Sequence, residues 1–354
     1  MSEYLPYLCG LYDCTLSDKI LLSDEHKFTW RSMLVCGSKF QLNGLLYEMC
    51  AMHMLYATAL SNEAVAIVDS LGAYEQNVSL RSDECKRCND RLKMATDLLC
   101  RASGVCDYVA TQLLPSGTAR PDSALPSLPP ELRHTGILAC SKLAMADAHA
   151  LAIRKLLASA VGTDQITPGP PLPAGHASPS LLAKLHLHTS ALYHQAHTLA
   201  SHSVGVDASS PKDKLVSKLS SLRPDTHDGL AAWLKYASFE AHVHKVLAYK
   251  WLGIDAGEYS HKPGWALAYL DMASVALDEL MPSKAREAWR IASKKSRKET
   301  RLVMEYTSVR RWFVAYKKMN DTVCTNEGER RAGGWCGCCL LYTSDAADDS
   351  LRVD

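Results

Sequence analysis

The sequence predicts a predominantly all-α protein in which long helices pack side by side. Long stretches repeat apolar residues every three to four positions, which is the period of an amphipathic helix. Alanine and leucine dominate these stretches, whereas the 354 residues include only four phenylalanines, and small side chains favour close helix packing. Glycine or proline ends several of them, at Gly72, Pro115 and Gly162.

Seven helices are predicted in chain order between residues 44 and 281, and their length predicts a solenoid or a stacked bundle. No repeat of fixed period is present, so the sequence lacks the signature of a tetratricopeptide array. Residues before Trp30 form short apolar pieces, and Gly253 to Gly257 is interpreted as a helix C-cap and turn. The predicted helices span about 44–72, 82–114, 131–161, 180–203, 211–221, 228–252 and 263–281, with a Pro- and Ser-rich loop at 115–130.

The junction between a proline run and the fourth helix is the most informative segment. Pro168 to Pro173 cannot form a helix, because proline fixes φ and lacks the N–H group. Ser178-Pro179-Ser180 then predicts a helix start, with a serine cap and a proline in the first turn. Apolar residues follow at helical spacing: Leu181, Leu182, Leu185, Leu192, Ala196 and Leu199.

Residues 284–318 carry a concentrated positive charge. They contain twelve Lys or Arg residues against three glutamates, a local net charge of +9. The segment also predicts an amphipathic helix whose apolar stripe packs on the body of the protein. Binding of an anionic lipid surface or of an acidic partner is the alternative. The stripe consists of Leu302, Tyr306, Val309, Phe313 and Tyr316.

Composition and motifs argue against several functional classes. The net charge of +1 gives no overall attraction to nucleic acid. The first residues, Met1 to Tyr7, lack the basic region and apolar run of a signal peptide, so none is expected. No run of about 18 uninterrupted apolar residues predicts a membrane span. Cys50, Cys100 and Cys140 are therefore interpreted as reduced, buried thiols of a cytosolic protein.

No catalytic, cofactor or metal site is predicted. Nucleophile-elbow, phosphate-loop, dinucleotide and kinase signatures are absent from the sequence. Cys85 and Cys88 form a lone CxxC at a helix start, without the second pair of a zinc site. His194 and His197 lie one turn apart, but no acidic ligand is near, so they are interpreted as surface histidines. Histidine titration near neutral pH is kept as a less favoured alternative.

Five blocks of sequence, in order, resemble the BRO1 domain family over roughly residues 1–323, and within it the fungal pH-response regulators. The blocks are Leu98 to Val105, Leu143 to Ala148 with Ala152 to Lys155, Thr167 to Ala196, Lys250 to Glu258 and Tyr316 to Asp321. The resemblance implies an elongated helical solenoid with a tetratricopeptide-like core. Family members have more chain before Trp30, so the N-terminal part is expected to be truncated.

The resemblance implies a division of the chain into three parts. Residues 1–283 are expected to form the BRO1 domain, and residues 284–323 a basic helical extension of its body. Residues 324–354 resemble translated adapter sequence and are expected to be a non-native tail.

The resemblance also implies a non-enzymatic adaptor and a binding face. BRO1 domains bind the C-terminal amphipathic helix of an ESCRT-III core subunit, and the Ser180 to Leu185 segment resembles part of that patch. Leu181 and Leu185 fall on the apolar contact positions, and the preceding helix contributes Ala150 or Leu151. Spacing alone places Leu181, Lys184, Leu185 and His188 on one helix face, where both leucines are equally compatible with the core.

In the pathway implied by the resemblance, the adaptor joins ESCRT-III to the alkaline pH-signalling complex. This complex leads to proteolytic activation of a pH-responsive transcription factor. The expected location is the cytoplasm, with recruitment to endosomal or plasma-membrane sites and possible contact with anionic membrane. A general BRO1-type endosomal sorting protein without a pH role is the alternative.

Overall fold

The chain is predominantly helical, which confirms the predicted all-α class. The computed structural model describes residues 3–21, 26–35, 38–76, 80–114, 128–160, 169–173, 175–203, 229–280 and 297–326. Two strands, β1 (Lys27–Arg31) and β2 (Lys39–Asn43), pair antiparallel. The helices are α1 (Tyr4–Leu16), α2 (Leu45–Leu71), α3 (Ser82–Tyr108), α4 (His134–Ala160), α5 (Pro179–Ser203), α6 (Gly229–Glu258), α7 (Pro263–Leu280) and α8 (Arg297–Asn326).

The predicted boundaries of α2, α4, α5 and α7 agree with the structure to within three residues. The stretch predicted as 82–114 is α3 followed by a wider π-helical turn at Val109–Leu113. The weak helix at 211–221, most of the 115–130 loop and the tail from residue 327 onward lie outside the described residues.

The first 43 residues contain elements that the sequence pattern did not reveal. Helix α1 and the β1–β2 hairpin are both anchored to Glu48, which is buried near the start of α2. Its carboxylate accepts hydrogen bonds from Trp30 Nε1 at 2.8 Å and from the Tyr4 hydroxyl at 3.4 Å. Five-residue strands show too little alternation to be predicted, and their stability comes from this tertiary anchor.

The chain forms two compact units, which we describe separately. Unit 1 comprises Met1–Tyr74, Ser79–Ala152 and Ala191–Ala241, and unit 2 comprises Glu75–Val78, Ile153–Ser190 and His242–Asp354.

In unit 1, α2 packs against α3 through small side chains, which include the fully buried Cys50, Ala64 and Ala95.

A buried polar cluster in unit 1 joins α4, α5 and α6. Asp147 Oδ1 accepts hydrogen bonds from the Tyr193 and Tyr236 hydroxyls at 2.6 and 2.8 Å. Burial raises the pKa of Asp147 to about 6, although the two hydroxyls act in the opposite direction.

The three cysteines interpreted as buried thiols are free thiols, but they differ in exposure. Cys50 is buried, which raises the pKa of its thiol to about 12, and Cys140 is half-buried. Cys100 is exposed on α3, so its interpretation as a buried residue was wrong. The helical pattern around Cys100 is apolar on both sides and did not identify which face is inward.

Among the residues that the structure describes, one helix is long and apolar enough to cross a membrane by length and composition alone. This stretch is His134–Ala158 of α4. Its most apolar 18-residue segment has a mean hydropathy of 1.3, and 44% of that segment is buried in the protein. Core helices meet the same criteria, and Ile137, Ala139 and Ala146 of this helix are buried in unit 1.

In unit 2, α8 packs against α7 and contacts α6 through its apolar stripe. Leu302, Val309 and Tyr316 of the stripe are buried, together with Trp312, while Tyr306 and Phe313 are half-buried. Leu302, Val309 and Tyr316 therefore face the interior of the unit, and Phe313 lies at the margin of the stripe. Arg310, Arg311, Lys317 and Lys318 are exposed on the outer side.

The predicted end of the sixth helix differs from the structure at two glycines. Gly253 and Gly257 lie inside α6, which continues to Glu258, so their interpretation as a C-cap and turn was wrong. A Cβ at Gly253 would lie 2.8 Å from Leu270 Cγ, and one at Gly257 would overlap the Tyr316 ring. The glycines permit close approach of α7 and α8, which is a packing role.

Gly257→Ala is expected to destabilise the protein by about 1–3 kcal/mol, because the added methyl overpacks the contact with Tyr316. Gly104→Ala is the matched control, since Gly104 is an exposed residue of α3 with no atom near the added Cβ. The control is expected to gain roughly 0.5–1 kcal/mol from helix propensity. Urea unfolding of both variants measures the difference, and equal stabilities would contradict the packing role.

Candidate functional site

The start of α5 has the capping geometry that the sequence predicts. Pro179 is the first helical residue, and Ser178 precedes it as the N-cap. The Ser178 hydroxyl accepts the Leu181 N–H at 3.5 Å, and the Ser178 carbonyl accepts the Leu182 N–H at 3.0 Å. This cap fixes the first turn, and with it the direction in which the following side chains point.

Asp255 of α6 provides a second anchor for this turn. Its carboxylate accepts a hydrogen bond from the Ser180 backbone N–H and lies near the Lys184 ammonium. Burial raises the pKa of Asp255, while the Ser180 N–H and the charge of Lys184 act against this increase. A negative charge at a helix N-terminus is stabilising, so Asp255 holds the beginning of α5 against α6.

The proline run before α5 is held by the end of α6. Glu258 Oε2 accepts the Leu172 N–H at 3.0 Å, and Glu258 Oε1 accepts the Tyr316 hydroxyl at 2.8 Å. The His176 ring lies 5.3 Å from the Trp251 ring, centroid to centroid. Sequence reasoning did not identify Asp255 and Glu258 as positioning residues, although both lie in the family-like block Lys250 to Glu258.

The four predicted contact residues of α5 share one outward face. Leu181 is 47% exposed, Leu185 is half-buried, and Lys184 and His188 are exposed. The structure therefore places neither leucine in the core. The inward side of the same turns carries Leu182, Ala183, His186 and Thr189, all buried.

The residues predicted on the preceding helix lie in unit 1. Leu151 of α4 is half-buried and packs against the core cluster of that unit, and Ala150 is also half-buried. Both residues belong to a different unit from Leu181 and Leu185. Their contribution to a common patch stays a prediction.

Beneath the α5 face, two histidines form a buried pair. His186 Nδ1 and His244 Nδ1 are 2.9 Å apart, so one ring donates and the other accepts in opposite tautomers. Burial lowers the pKa of His186 well below its usual value and that of His244 to about 3. The nearby positive charge of Arg301 acts in the same direction on both rings. Lys250 adds to the effect on His186 and pairs with Glu305 at 2.6 Å.

Within the described ranges, no group of three or more His, Cys, Asp or Glu side chains is placed to hold a metal ion. Cys85 and Cys88 are half-buried free thiols in the first turns of α3. His194 is exposed and His197 half-buried on α5, as expected for residues near the surface. The chemistry that the α5 face offers is apolar contact flanked by polar and cationic groups.

The profile of the BRO1-like domain family matches residues 3–327. The chain belongs to this family. This BRO1 chain is also 34% identical over 359 residues to the pH-response regulator protein palC of Cryptococcus neoformans var. neoformans serotype D, strain B-3501A. That match covers 90% of the chain and 73% of the relative.

Solved structures confirm the BRO1 fold. ALIX in complex with the SIVmac239 PYKEVTEDL late domain matches with a TM-score of 0.55 and 16% identity, over 92% of this chain. This chain spans only 37% of that ALIX chain. A complex of the ALIX BRO1 domain with CHMP4C matches with a TM-score of 0.54 and 17% identity. That match covers 95% of this chain and 78% of the ALIX chain.

A third structure, described as the basis for endosomal targeting by the Bro1 domain, matches with a TM-score of 0.55 and 17% identity. The match covers 98% of this chain and 80% of that one. At these identities the three likenesses show the fold.

The histidine pair predicts that the protein loses stability in acid. Both rings are neutral in the folded state, because burial lowers their pKa values. In the unfolded chain each ring has the ordinary histidine pKa of about 6.5. The unfolded state therefore binds more protons below pH 6.5, and the free energy of unfolding falls as the pH decreases toward the folded pKa. For His244 alone the loss is about 2 kcal/mol between pH 7 and pH 5.

The measurement is urea unfolding as a function of pH for the natural chain and for the double variant His186→Leu/His244→Phe. The double variant removes both titrating rings and keeps the site apolar, so its stability is expected to decrease less between pH 7 and pH 5. Parallel pH profiles for the two proteins would contradict the neutral buried pair.

Proposed function

We propose that this chain is a non-enzymatic adaptor that binds the C-terminal amphipathic helix of an ESCRT-III core subunit. The proposal assigns binding to the α5 face of Leu181, Lys184, Leu185 and His188. Three findings support it: membership of the BRO1-like family, the fold shared with an ALIX BRO1 domain bound to CHMP4C, and the outward position of both leucines.

The outward position of the leucine pair, with Leu181 exposed and Leu185 half-buried, is the observation that carries the proposal. Leu181 and Leu185 lie one helical turn apart, so a partner helix can cover both side chains together. Lys184 and His188 flank them, which favours acidic residues beside the apolar anchors of the partner. This is the helix-in-groove mode of recognition, in which apolar anchors contribute affinity and flanking charges fix orientation.

The pH-response role rests on the similarity to palC, which covers most of both chains. In the proposed pathway, the adaptor links ESCRT-III to the complex that leads to proteolytic activation of an alkaline-responsive transcription factor. The same similarity favours this role over the alternative of a general BRO1-type sorting protein.

The proposed location is the cytoplasm, with peripheral recruitment to endosomal or plasma-membrane ESCRT sites. A neighbour of the same fold is described by its role in endosomal targeting, which supports the endosomal site. Recruitment through ESCRT-III requires no insertion of the chain into the bilayer. We assign the chain no catalytic role, because its family and its regulator relative support binding.

Leu185→Asp is expected to abolish binding to a synthetic ESCRT-III C-terminal helix. Covering a leucine contributes about 1.5–3 kcal/mol, which corresponds to roughly a ten- to hundredfold change in Kd. Isothermal titration calorimetry measures the Kd, and thermal melting tests the fold. The expected result is lost binding with little change in Tm, because Leu185 is only half-buried.

Two further variants complete this experiment. Val275→Asp is the matched control, since Val275 is a 53% exposed apolar residue of α7 outside the proposed face. It is expected to retain binding. Leu182→Asp places an unpaired charge in a fully buried position and is expected to lower the Tm. If Leu185→Asp binds as tightly as the natural chain, the site lies elsewhere.

Alkaline growth separates the pH-response role from general sorting. A deletion strain is expected to fail at alkaline pH and to be rescued by the natural chain and by Val275→Asp. Leu185→Asp is expected not to rescue growth. Normal alkaline growth of the deletion strain, together with a cargo-sorting defect, would favour the alternative.

A further inference from the structure

The outward face of α8 lines an open concavity in unit 2. Helical spacing brings seven residues to one side of the helix, where they line a concavity of about 600 Å³. Val314 at the centre is 57% exposed. The lining residues are Arg310, Phe313, Val314, Lys317, Lys318, Asp321 and Thr322.

This face is separate from the contacts that hold α8 in place. The inward side of the helix carries the buried Val309, Trp312 and Tyr316. Glu305 pairs with Lys250, and the Tyr316 hydroxyl donates to Glu258. These contacts leave Arg310, Val314, Lys317 and Lys318 exposed on the other side of the helix.

The charges around the concavity are unequal. Arg310, Lys317 and Lys318 contribute three positive charges, against the single negative charge of Asp321. Phe313 and Val314 supply an apolar floor between these cations. The surface thus combines an apolar recess with a cationic rim, and the complementary ligand has an apolar side chain flanked by carboxylates.

We propose that this face of α8, which we call the Arg310–Thr322 surface, docks a short acidic amphipathic segment of a partner protein. A leucine or aromatic side chain of the partner enters the recess over Phe313 and Val314. Its acidic residues lie against Arg310, Lys317 and Lys318. The surface acts in addition to the α5 face, so it gives the adaptor a second binding site.

Two features favour a peptide over an anionic membrane. A helix that lies in a membrane interface presents a broad apolar face, whereas α8 uses its broad apolar face inside the protein. The outward side offers two apolar residues with cations one turn away on both sides.

The test uses the full chain as bait for a library of random peptides displayed on phage. Enriched peptides are expected to be acidic, with apolar residues three or four positions apart. Each is then synthesised, and its Kd is measured by fluorescence anisotropy against the natural chain. Two variants follow: Lys317→Glu/Lys318→Glu, which reverses the rim, and Val314→Asp, which places a charge in the recess.

Both variants are expected to weaken binding at least tenfold, and high salt is expected to weaken binding to the natural chain. Met319→Asp is the matched control, because Met319 is 49% exposed on α8 but does not line the recess. Thermal melting is expected to be unchanged for all three variants. Leu185→Asp, which alters the α5 face, is expected to bind these peptides normally.

Several outcomes would overturn the proposal. Enriched peptides without acidic residues, or without sensitivity to charge reversal, would exclude the cationic rim as the binding site. Loss of binding in Leu185→Asp alone would assign the peptides to the α5 face. Vesicles of phosphatidylserine that sediment with the natural chain but not with the charge-reversed variant, without peptide binding, would assign the surface to lipid. A concentration-dependent dimer that Val314→Asp abolishes would assign it to a second copy.

Discussion

The last two turns of α6 are the constraint on which the arrangement of unit 2 depends. Glu258 uses one carboxylate oxygen for the Leu172 N–H and the other for the Tyr316 hydroxyl, so a single side chain joins the proline run and α8 to α6. Gly257, one residue earlier, leaves the space that the Tyr316 ring occupies. Hydrogen bonds to a charged group contribute about 1.5–3 kcal/mol each, which makes this junction one of the stronger polar contacts of the unit. The α5 face is exposed in a fixed direction because the chain before it is held here.

Much of the helical architecture could be predicted from the sequence, because it depends on local signals. The period of apolar residues locates α2 and α5, and Ser178-Pro179 marks the start of α5 through a cap that involves only neighbouring residues. The end of α6 could not be predicted in this way. A glycine that ends a helix and a glycine that admits a neighbouring helix give the same local signal. The choice is made by Leu270 and Tyr316, which contact Gly253 and Gly257 from α7 and α8.

The candidate site was only partly predictable, for a related reason. Leu181 and Leu182 are adjacent, and the pattern makes both compatible with the core, yet Leu181 is 47% exposed and Leu182 fully buried. The histidines of α5 also look alike in sequence. His186 differs because His244, 58 residues further along the chain, lies against it in the interior. Which side of an Ala- and Leu-rich helix faces inward is decided by such partners, and periodicity alone does not contain that information.

The buried titratable groups bear on how a relative of a pH-response regulator would act. The His186–His244 pair is already neutral at pH 7, since burial and the cations nearby lower both pKa values, and raising the pH further leaves it neutral. Asp147 in unit 1, with a pKa of about 6, is mostly ionised at pH 7 and stays so in alkali. None of these three groups changes its charge between neutral and alkaline pH. Titration of these three buried groups therefore does not supply an alkaline signal in the proposed adaptor, and the buried interior around them keeps the same charges from neutral to alkaline pH.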